Sequence, residues 1–239
     1  NYMNGIPKDI GEESSLYLFD RHFAKHASKL YNDYDVPEYF NEDLFQFIGD
    51  TRPDYRWVIM GPKRSGSTFH IDPNGTSAWN ACVIGRKKWV MYPPGCVPPG
   101  VYPTSDNSEV TSPISVAEWF LQYYKAGSAY ECVVEPGEIM FVPRGWWHTV
   151  INLDDSIAIT QNYVSTQTLR FVMDFVRDDS LVSGYPGNNS CSANGLEDEA
   201  TLTKKMNQDI DCCRNSHNNI SLREALREAL ITSLACSAP

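Results

Sequence analysis

A chain of 239 residues, 42% hydrophobic and 21% charged, is long enough for one large domain with a proper core, and an all-β barrel of this size is routinely a single domain. With 30 acidic against 20 basic residues the net charge is −10, which argues against nucleic acid as the main partner, since backbone binders carry a basic excess, and suits a basic protein or peptide. No apolar run reaches the ~18 residues of a membrane helix and no charged-then-apolar leader opens the sequence, so neither a membrane span nor a signal peptide is legible.

The first 15 residues are polar and punctuated by Gly and Pro, and the chain opens Asn1-Tyr2-Met3 without an initiator Met, which reads as a piece of a longer protein. Leu16–Asp20 is a short apolar run suited to a strand. Arg21–Tyr31 reads as one helix, with Phe23, Ala27 and Leu30 at helical spacing. His22 and His26 stand four apart on it, but no third ligand accompanies them, so they read as a solvated face. Tyr34-Asp35-Val36-Pro37 ends the helix, because the residue before Pro is driven to extended geometry. A short turn after Pro37 and a second at Asn41–Phe45 follow, the latter with acids in its first turn.

From Tyr55 the texture changes to strands: Arg56–Met60, Ser67–Asp72, Ser77–Ile84 and Lys87–Tyr92, with Gly85-Arg86 reading as the turn of a tight hairpin between the last two. A Pro-rich connection leads to a helix over Ser115–Tyr124, whose Ser115 and Glu118 form a capping box. Tyr130–Val134, Glu138–Val142, Thr149–Leu153 and Ser156–Tyr163 are further strands with short separators, and Leu169–Val176 reads as a helix leaving the sheet. So many short strands at close spacing indicate a mainly β sandwich or barrel rather than a βαβ fold.

The expected organisation is residues 1–54 as N-terminal elements packed on a β core formed by 55–182, a linker or loop at 183–199, and C-terminal helices over 200–239. In the last, Ser221 and Glu224 form another capping box, and Leu222, Leu226, Leu230 and Leu234 make one stripe, so a helix over 221–235 either packs back on the barrel or pairs two chains as a homodimer. The seven Cys are odd in number and contain no Cys-x-x-Cys pair, which reads as reduced thiols in a cytosolic or nuclear protein. Cys82 and Cys132 sit in strand-like runs as small core residues. Cys191, Cys212, Cys213 and His217 could supply part of a zinc site, although their spacing matches no standard pattern.

His70-Ile71-Asp72 puts an imidazole and a carboxylate two residues apart, and on a strand that spacing aims both to one side. They form two corners of a metal face, and a second His would complete the two-His-one-carboxylate arrangement that holds Fe(II) with open positions. Of the five His, His148 is the candidate, at the start of a strand after the tight turn Pro143-Arg144-Gly145 and beside Trp146 and Trp147, bulky enough to exclude water. A cosubstrate chelating such an iron through a 2-oxo acid needs a cation for its far carboxylate. Lys87 suits that role, with Arg86 and Lys88 as alternatives because successive strand residues face opposite ways. Inward positions such as Asn80 and Thr160 could complete the carboxylate's hydrogen bonds.

Arg56–Pro62, Arg64-Ser65-Gly66, His70–Pro73, Gly75–Ala81, Gly145–His148 and Ile157–Asn162 together resemble the JmjC-domain oxygenases. The similarity points to the branch of the bifunctional arginine demethylase and lysyl hydroxylase once called the phosphatidylserine receptor, and to its F-box relatives. It covers roughly residues 16–180 and implies a double-stranded β-helix, the cupin-like jelly roll, that uses Fe(II), 2-oxoglutarate and O₂. Matched position by position, it assigns the metal to His70, Asp72 and His148. The far carboxylate of 2-oxoglutarate falls to Lys87, with Thr160, Asn80, Ser67 and Tyr17 as hydrogen-bonding neighbours. Ser67 stands where that branch usually has Thr, and keeps the hydroxyl. Trp147 and Asn162 stand as substrate-pocket candidates. The implied activity is hydroxylation of lysine, or demethylation of N-methyl-arginine or methyl-lysine, in a protein such as a histone or splicing factor, in the nucleus or cytoplasm. The basic, Ser-rich tail of the branch is absent, so the RNA and nuclear-targeting roles tied to it do not carry over. Two other readings stand beside this one: an inactive JmjC scaffold that binds partners through the 221–235 helix, and a tRNA or small-molecule hydroxylase.

Overall fold

The computed structural model describes residues 16–104, 110–113 and 115–177. The expected linker at 183–199, the helices over 200–239 and the zinc candidates Cys191, Cys212, Cys213 and His217 lie outside the described residues. So does the Leu222–Leu234 stripe.

The N-terminal elements are β1 (Leu18–Asp20), α1 (Phe23–His26) and α2 (Ser28–Asn32), followed by a 3₁₀ turn at Glu38–Phe40. The expected single helix over Arg21–Tyr31 is therefore two short ones. Ala27 leaves helical geometry at φ −137° and ψ 65°, and its N–H caps α1 by donating to Phe23 O. Residues 45–52, most of them in the 3₁₀ stretch Leu44–Thr51, are the described part of a separate compact unit. The strands that follow are β2 (Arg56–Gly61), β3 (Gly66–His70), β4 (Ser77–Ile84), β5 (Lys87–Tyr92), β6 (Tyr102–Pro103) and β7 (Val110–Thr111). Then come α3 (Val116–Gln122), β8 (Tyr130–Val134), β9 (Ile139–Val142), β10 (Trp147–Asn152), β11 (Ser156–Tyr163) and α4 (Thr166–Arg177). Ser115 caps α3 as its sequence predicts, its hydroxyl accepting from Glu118 N. β3 stops at His70, two residues short of the expected end, because Pro73 opens a 3₁₀ turn for which Asp72 is the extended N-cap.

One sheet runs β1-β2-β11-β4-β9 and the other β3-β10-β5-β8, all pairings antiparallel. Successive strands from β2 to β5, and again from β8 to β11, alternate between the two sheets. That alternation is the double-stranded β-helix, a jelly-roll arrangement. It corrects the expected hairpin: β4 and β5 are joined only by Gly85-Arg86 yet lie in different sheets. Each strand already has a partner on both edges, β9 and β11 for β4 and β8 and β10 for β5, so the two-residue link turns a corner instead of closing a ladder. Gly85 makes the corner at φ 77°, where a residue with a Cβ is strained.

The cores follow from strand alternation. Between the sheets lie Ala78, Cys82, Trp89, Met91, Val134, Val142 and Val150. The outer face of the first sheet buries Val58, Trp79, Ile159 and Tyr163 under Phe23 and Phe40 of the N-terminal segment. The outer face of the second sheet buries Phe69, Val90 and Trp147 under Trp119 of α3 and under Val101, just before β6. Both sheets are thus covered on the outside, and the space between them is left for a site. Among the described residues no helix is long and apolar enough to cross a membrane.

Candidate metal centre

A cavity of about 280 Å³ opens between the two sheets. His70 closes β3 and His148 is the second residue of β10. The two are directly paired across the ladder, with ring centroids 4.1 Å apart. Asp72, just past the strand, brings Oδ1 to 4.0 Å from His148 Nε2. One ligand atom from each of the three lies within 4.8 Å of the others.

The tautomers suit a metal. His70 Nδ1 sits 2.8 Å from Thr68 O and His148 Nδ1 3.1 Å from Trp146 O. A carbonyl can only accept, so each Nδ1 carries a proton, which leaves each Nε2 as the ring nitrogen available to a metal. Burial, and then the neighbouring His70, hold His148 well below the ordinary histidine range, so its ring is neutral. Asp72 is pushed up by burial, and His70 and the Asn162 amide oppose that shift. Its Oδ2 is buried with no hydrogen-bond partner among the described residues. An orphaned carboxylate oxygen beside two clustered imidazoles is a donor set that a divalent cation satisfies, so these residues fit the Fe(II) that the sequence resemblance implies.

The bulge that makes this possible is invisible in the sequence. Along β10, His148 and Val150 are two residues apart, but their partners on β3, His70 and Ser67, are three apart. The extra residue in β3 puts both Ser67 and His70 on the cavity wall although their spacing is odd. The hydroxyl of Thr149 fastens the bulge, donating to Ser67 O at 2.7 Å.

Lys87 is the basic residue that faces inward. It shares its face of β5 with Trp89 and Met91 of the inter-sheet core, whereas Lys88 turns out to pair with Glu131 and Arg86 pairs with Asp154 at the corner, 2.7 Å away. Lys87 is 1% exposed. Its Nζ donates to Tyr17 OH at 3.1 Å and to Asn152 Oδ1 at 2.7 Å. Burial, slightly opposed by Cys82, pulls it down to about 8, and burial pushes the Tyr17 phenol up. Thr160 and Asn80 face each other across β11 and β4 and both line the cavity. Thr160 donates to Trp79 O at 2.9 Å, while Asn80 Oδ1 is buried without a partner among the described residues.

Of the two substrate-pocket candidates, Asn162 lines the cavity and donates to Thr76 Oγ1 at 2.8 Å. Trp147 does not line it: at 3% exposed it packs on the outer face of the second sheet with Phe69 and Trp119. Since His148 points inward, its neighbour must point out. Trp89, Trp57 and Phe19 take up the cavity wall instead, Trp89 stacking on His148 at 6.0 Å between centroids. Sequence reasoning also missed Asn152. Its signal was available, because His148, Val150 and Asn152 alternate along one strand and share a face.

The family model described as a cupin-like domain matches residues 4–168. The chain is 55% identical over 181 residues to arginine-specific demethylase JMJ22 of Arabidopsis thaliana, covering 72% of this chain and 36% of that protein. It is 43% identical over 173 residues to the bifunctional arginine demethylase and lysyl-hydroxylase psr-1 of Caenorhabditis elegans, covering 67% of this chain and 43% of that one. Against the 2-oxoglutarate and iron-dependent oxygenase JMJD4 of Danio rerio it is 37% identical over 174 residues, covering 69% of this chain and 40% of that protein. The chain thus spans less than half the length of these relatives.

Proposed function

The chain belongs to the cupin-like, JmjC-type domain family, and from that premise we propose that it is the oxygenase domain of an Fe(II)- and 2-oxoglutarate-dependent enzyme that hydroxylates lysine or demethylates N-methyl-arginine in a protein substrate. The observation that carries the reading is the convergence, in one cavity, of three ligand atoms within 4.8 Å of one another with a lysine that is 1% exposed. Relatives named arginine demethylase, lysyl-hydroxylase and iron-dependent oxygenase support it.

Bound Fe(II) would supply the activation of O₂ coupled to oxidative decarboxylation of 2-oxoglutarate. The chain supplies the rest. His70, Asp72 and His148 would hold the metal. Lys87 would take the far carboxylate of 2-oxoglutarate in a charge-assisted contact, with Tyr17, Ser67, Asn80 and Thr160 as polar neighbours. Trp89 and Val150 exclude water from the wall behind His148. Hydroxylation of a lysine carbon gives an alcohol, whereas hydroxylation of an N-methyl carbon gives a hemiaminal that loses formaldehyde, so the same centre serves both outcomes. The net charge of −10 supports a basic protein segment as substrate.

The test is reconstitution with Fe(II), followed by mass spectrometry of lysine and methyl-arginine peptides with 2-oxoglutarate. Gain of one oxygen atom reports hydroxylation, and loss of one CH₂ reports demethylation. Absence of iron binding and of succinate formation would overturn the enzyme reading in favour of a scaffold. Asp72→Ala should weaken Fe(II) binding by more than ~100-fold, since removing even outer partners of a metal ligand costs ~10–100-fold. Metal titration of the folded variant checks it.

A further inference from the structure

Lys87 is a buried ammonium with no carboxylate paired to it among the described residues. Among the described residues its hydrogen-bond partners are two neutral oxygens, Tyr17 OH and Asn152 Oδ1. The titratable side chains that bear on it are Tyr17, through that hydrogen bond, and Cys82, and burial pushes both upward, so neither is an acid ionised near neutrality. Asn152 is itself 1% exposed, and its orientation is fixed from behind. Its Nδ2 donates to Ser65 Oγ at 3.0 Å and to Gly61 O at 3.4 Å. The Ser65 hydroxyl donates onward to Pro62 O at 2.6 Å, so it must accept from Asn152. The backbone locks the same pair, Asn152 N donating to Ser65 O and Arg64 N to Asn152 O, each at 2.8 Å. The polarity of the chain is therefore set: the amide nitrogen faces Ser65, and only the carbonyl oxygen can face Lys87. The packing admits little else, because a Cβ on Gly61 would meet Ser65 Oγ at 2.3 Å and the Tyr17 ring at 2.4 Å.

We propose that Asn152, held by Ser65, is the positioning residue for Lys87, and that its neutrality is its function: it aims the ammonium into the cavity while leaving the charge uncompensated for the carboxylate of the cosubstrate. A carboxylate at position 152 would hold the lysine equally well in geometry but would neutralise it within the protein. An arriving carboxylate would then have to displace an ion pair already made. The proposal rests on the 2-oxoglutarate reading above and extends it to a residue outside the cavity lining.

The discriminating experiment compares Asn152→Asp with Asn152→Ala in the full chain loaded with Mn(II) under nitrogen, measuring equilibrium binding of 2-oxoglutarate and, separately, of the metal. Asn152→Asp should weaken 2-oxoglutarate binding by about tenfold or more, the equivalent of one pKa unit of interaction. Asn152→Ala, which frees the ammonium without neutralising it, should lose only about threefold, and metal affinity should stay within about twofold in both. A structural filler would give the reverse order, since Asp is closer to Asn in shape; an Ala loss equal to or greater than the Asp loss overturns the proposal. Ser65→Ala, a smaller change, should weaken 2-oxoglutarate binding by about threefold through the loosened amide, and unchanged binding there also counts against it. The lysine ammonium titration, followed by NMR without any ligand, should move clearly upward in Asn152→Asp. An unmoved midpoint overturns the role of Asn152, whereas a wild type that binds metal but no 2-oxoglutarate overturns the cosubstrate reading instead.

Discussion

Removing water from Lys87 has a measurable pH signature. Its folded value lies at about 8 against 10.5 for an ordinary lysine. Below pH 8 both folded and unfolded chains carry the proton and the burial penalty is fully present. Between 8 and 10.5 the unfolded chain binds more protons, so stability rises with pH across that window. Relative to Lys87→Met, the wild type should gain on the order of 2 kcal/mol between pH 7.5 and 9.5, below the range where the raised Tyr17 phenol begins to ionise. Urea midpoints of the two proteins at both pH values check this, and a constant difference would contradict it. The same proton governs ligand binding: 2-oxoglutarate affinity should fall as pH rises above about 8. At this scale the sequence was legible in residue type but only partly in direction. His-x-Asp, the distant His148 and a cluster of three basic residues at 86–88 were plain. Which of the three faces in depends on the phase of β5, and that phase is set by Trp89 and Met91 entering the inter-sheet core.

Elements carry the second lesson, because the strand holding Ser67 and His70 is irregular. Sequence alternation predicts that residues three apart face opposite ways, yet both line the cavity, and only the bulge against Val150 reconciles them. Nothing local announces a bulge here. Gly66 is its one trace, and its meaning needs the partner strand: a Cβ there would lie 1.9 Å from Val150 O. Gly66→Ala should therefore destabilise the fold by about 1–3 kcal/mol, the usual range for overpacking, and should weaken metal binding, because His70 sits at the far end of the same bulge. Denaturant melts paired with metal titration test both halves. Wild-type metal affinity in a destabilised variant would show that the bulge does not position His70.

For the whole molecule, the strands were legible and their partners were not. Strand positions come from local alternation and turn residues, but sheet membership is decided by pairings far apart in the chain, such as Ser156 with Gly61 and Gln161 with Arg56 between β11 and β2. A two-residue link such as Gly85-Arg86 looks the same in sequence whether it closes a hairpin or turns a corner. Here it turns a corner, and a second corner, Asp154-Asp155 between β10 and β11, lies against it. Leu153 N donates to Arg86 O at 2.8 Å, and Arg86 meets Asp154 at 2.7 and 3.3 Å. Two contributions hold these corners together, and their magnitudes differ. The Arg86–Asp154 pair is 49% and 40% exposed, so it is screened by solvent and contributes little. The close backbone approach is more stringent, since a Cβ on Gly85 would meet Asp155 O at 2.4 Å while sitting at φ 77°. Arg86→Ala should therefore leave the urea midpoint close to that of the wild type. Gly85→Ala should cost about 2–4 kcal/mol from clash and left-handed strain combined. It should also weaken 2-oxoglutarate binding, because Lys87 and Asn152 are the first inward residues beyond the two corners. Urea denaturation with 2-oxoglutarate titration of both variants decides the point. Equal effects would mean that the corners are held by charge, and a Gly85→Ala protein with intact cosubstrate affinity would mean that the corner does not set the position of Lys87.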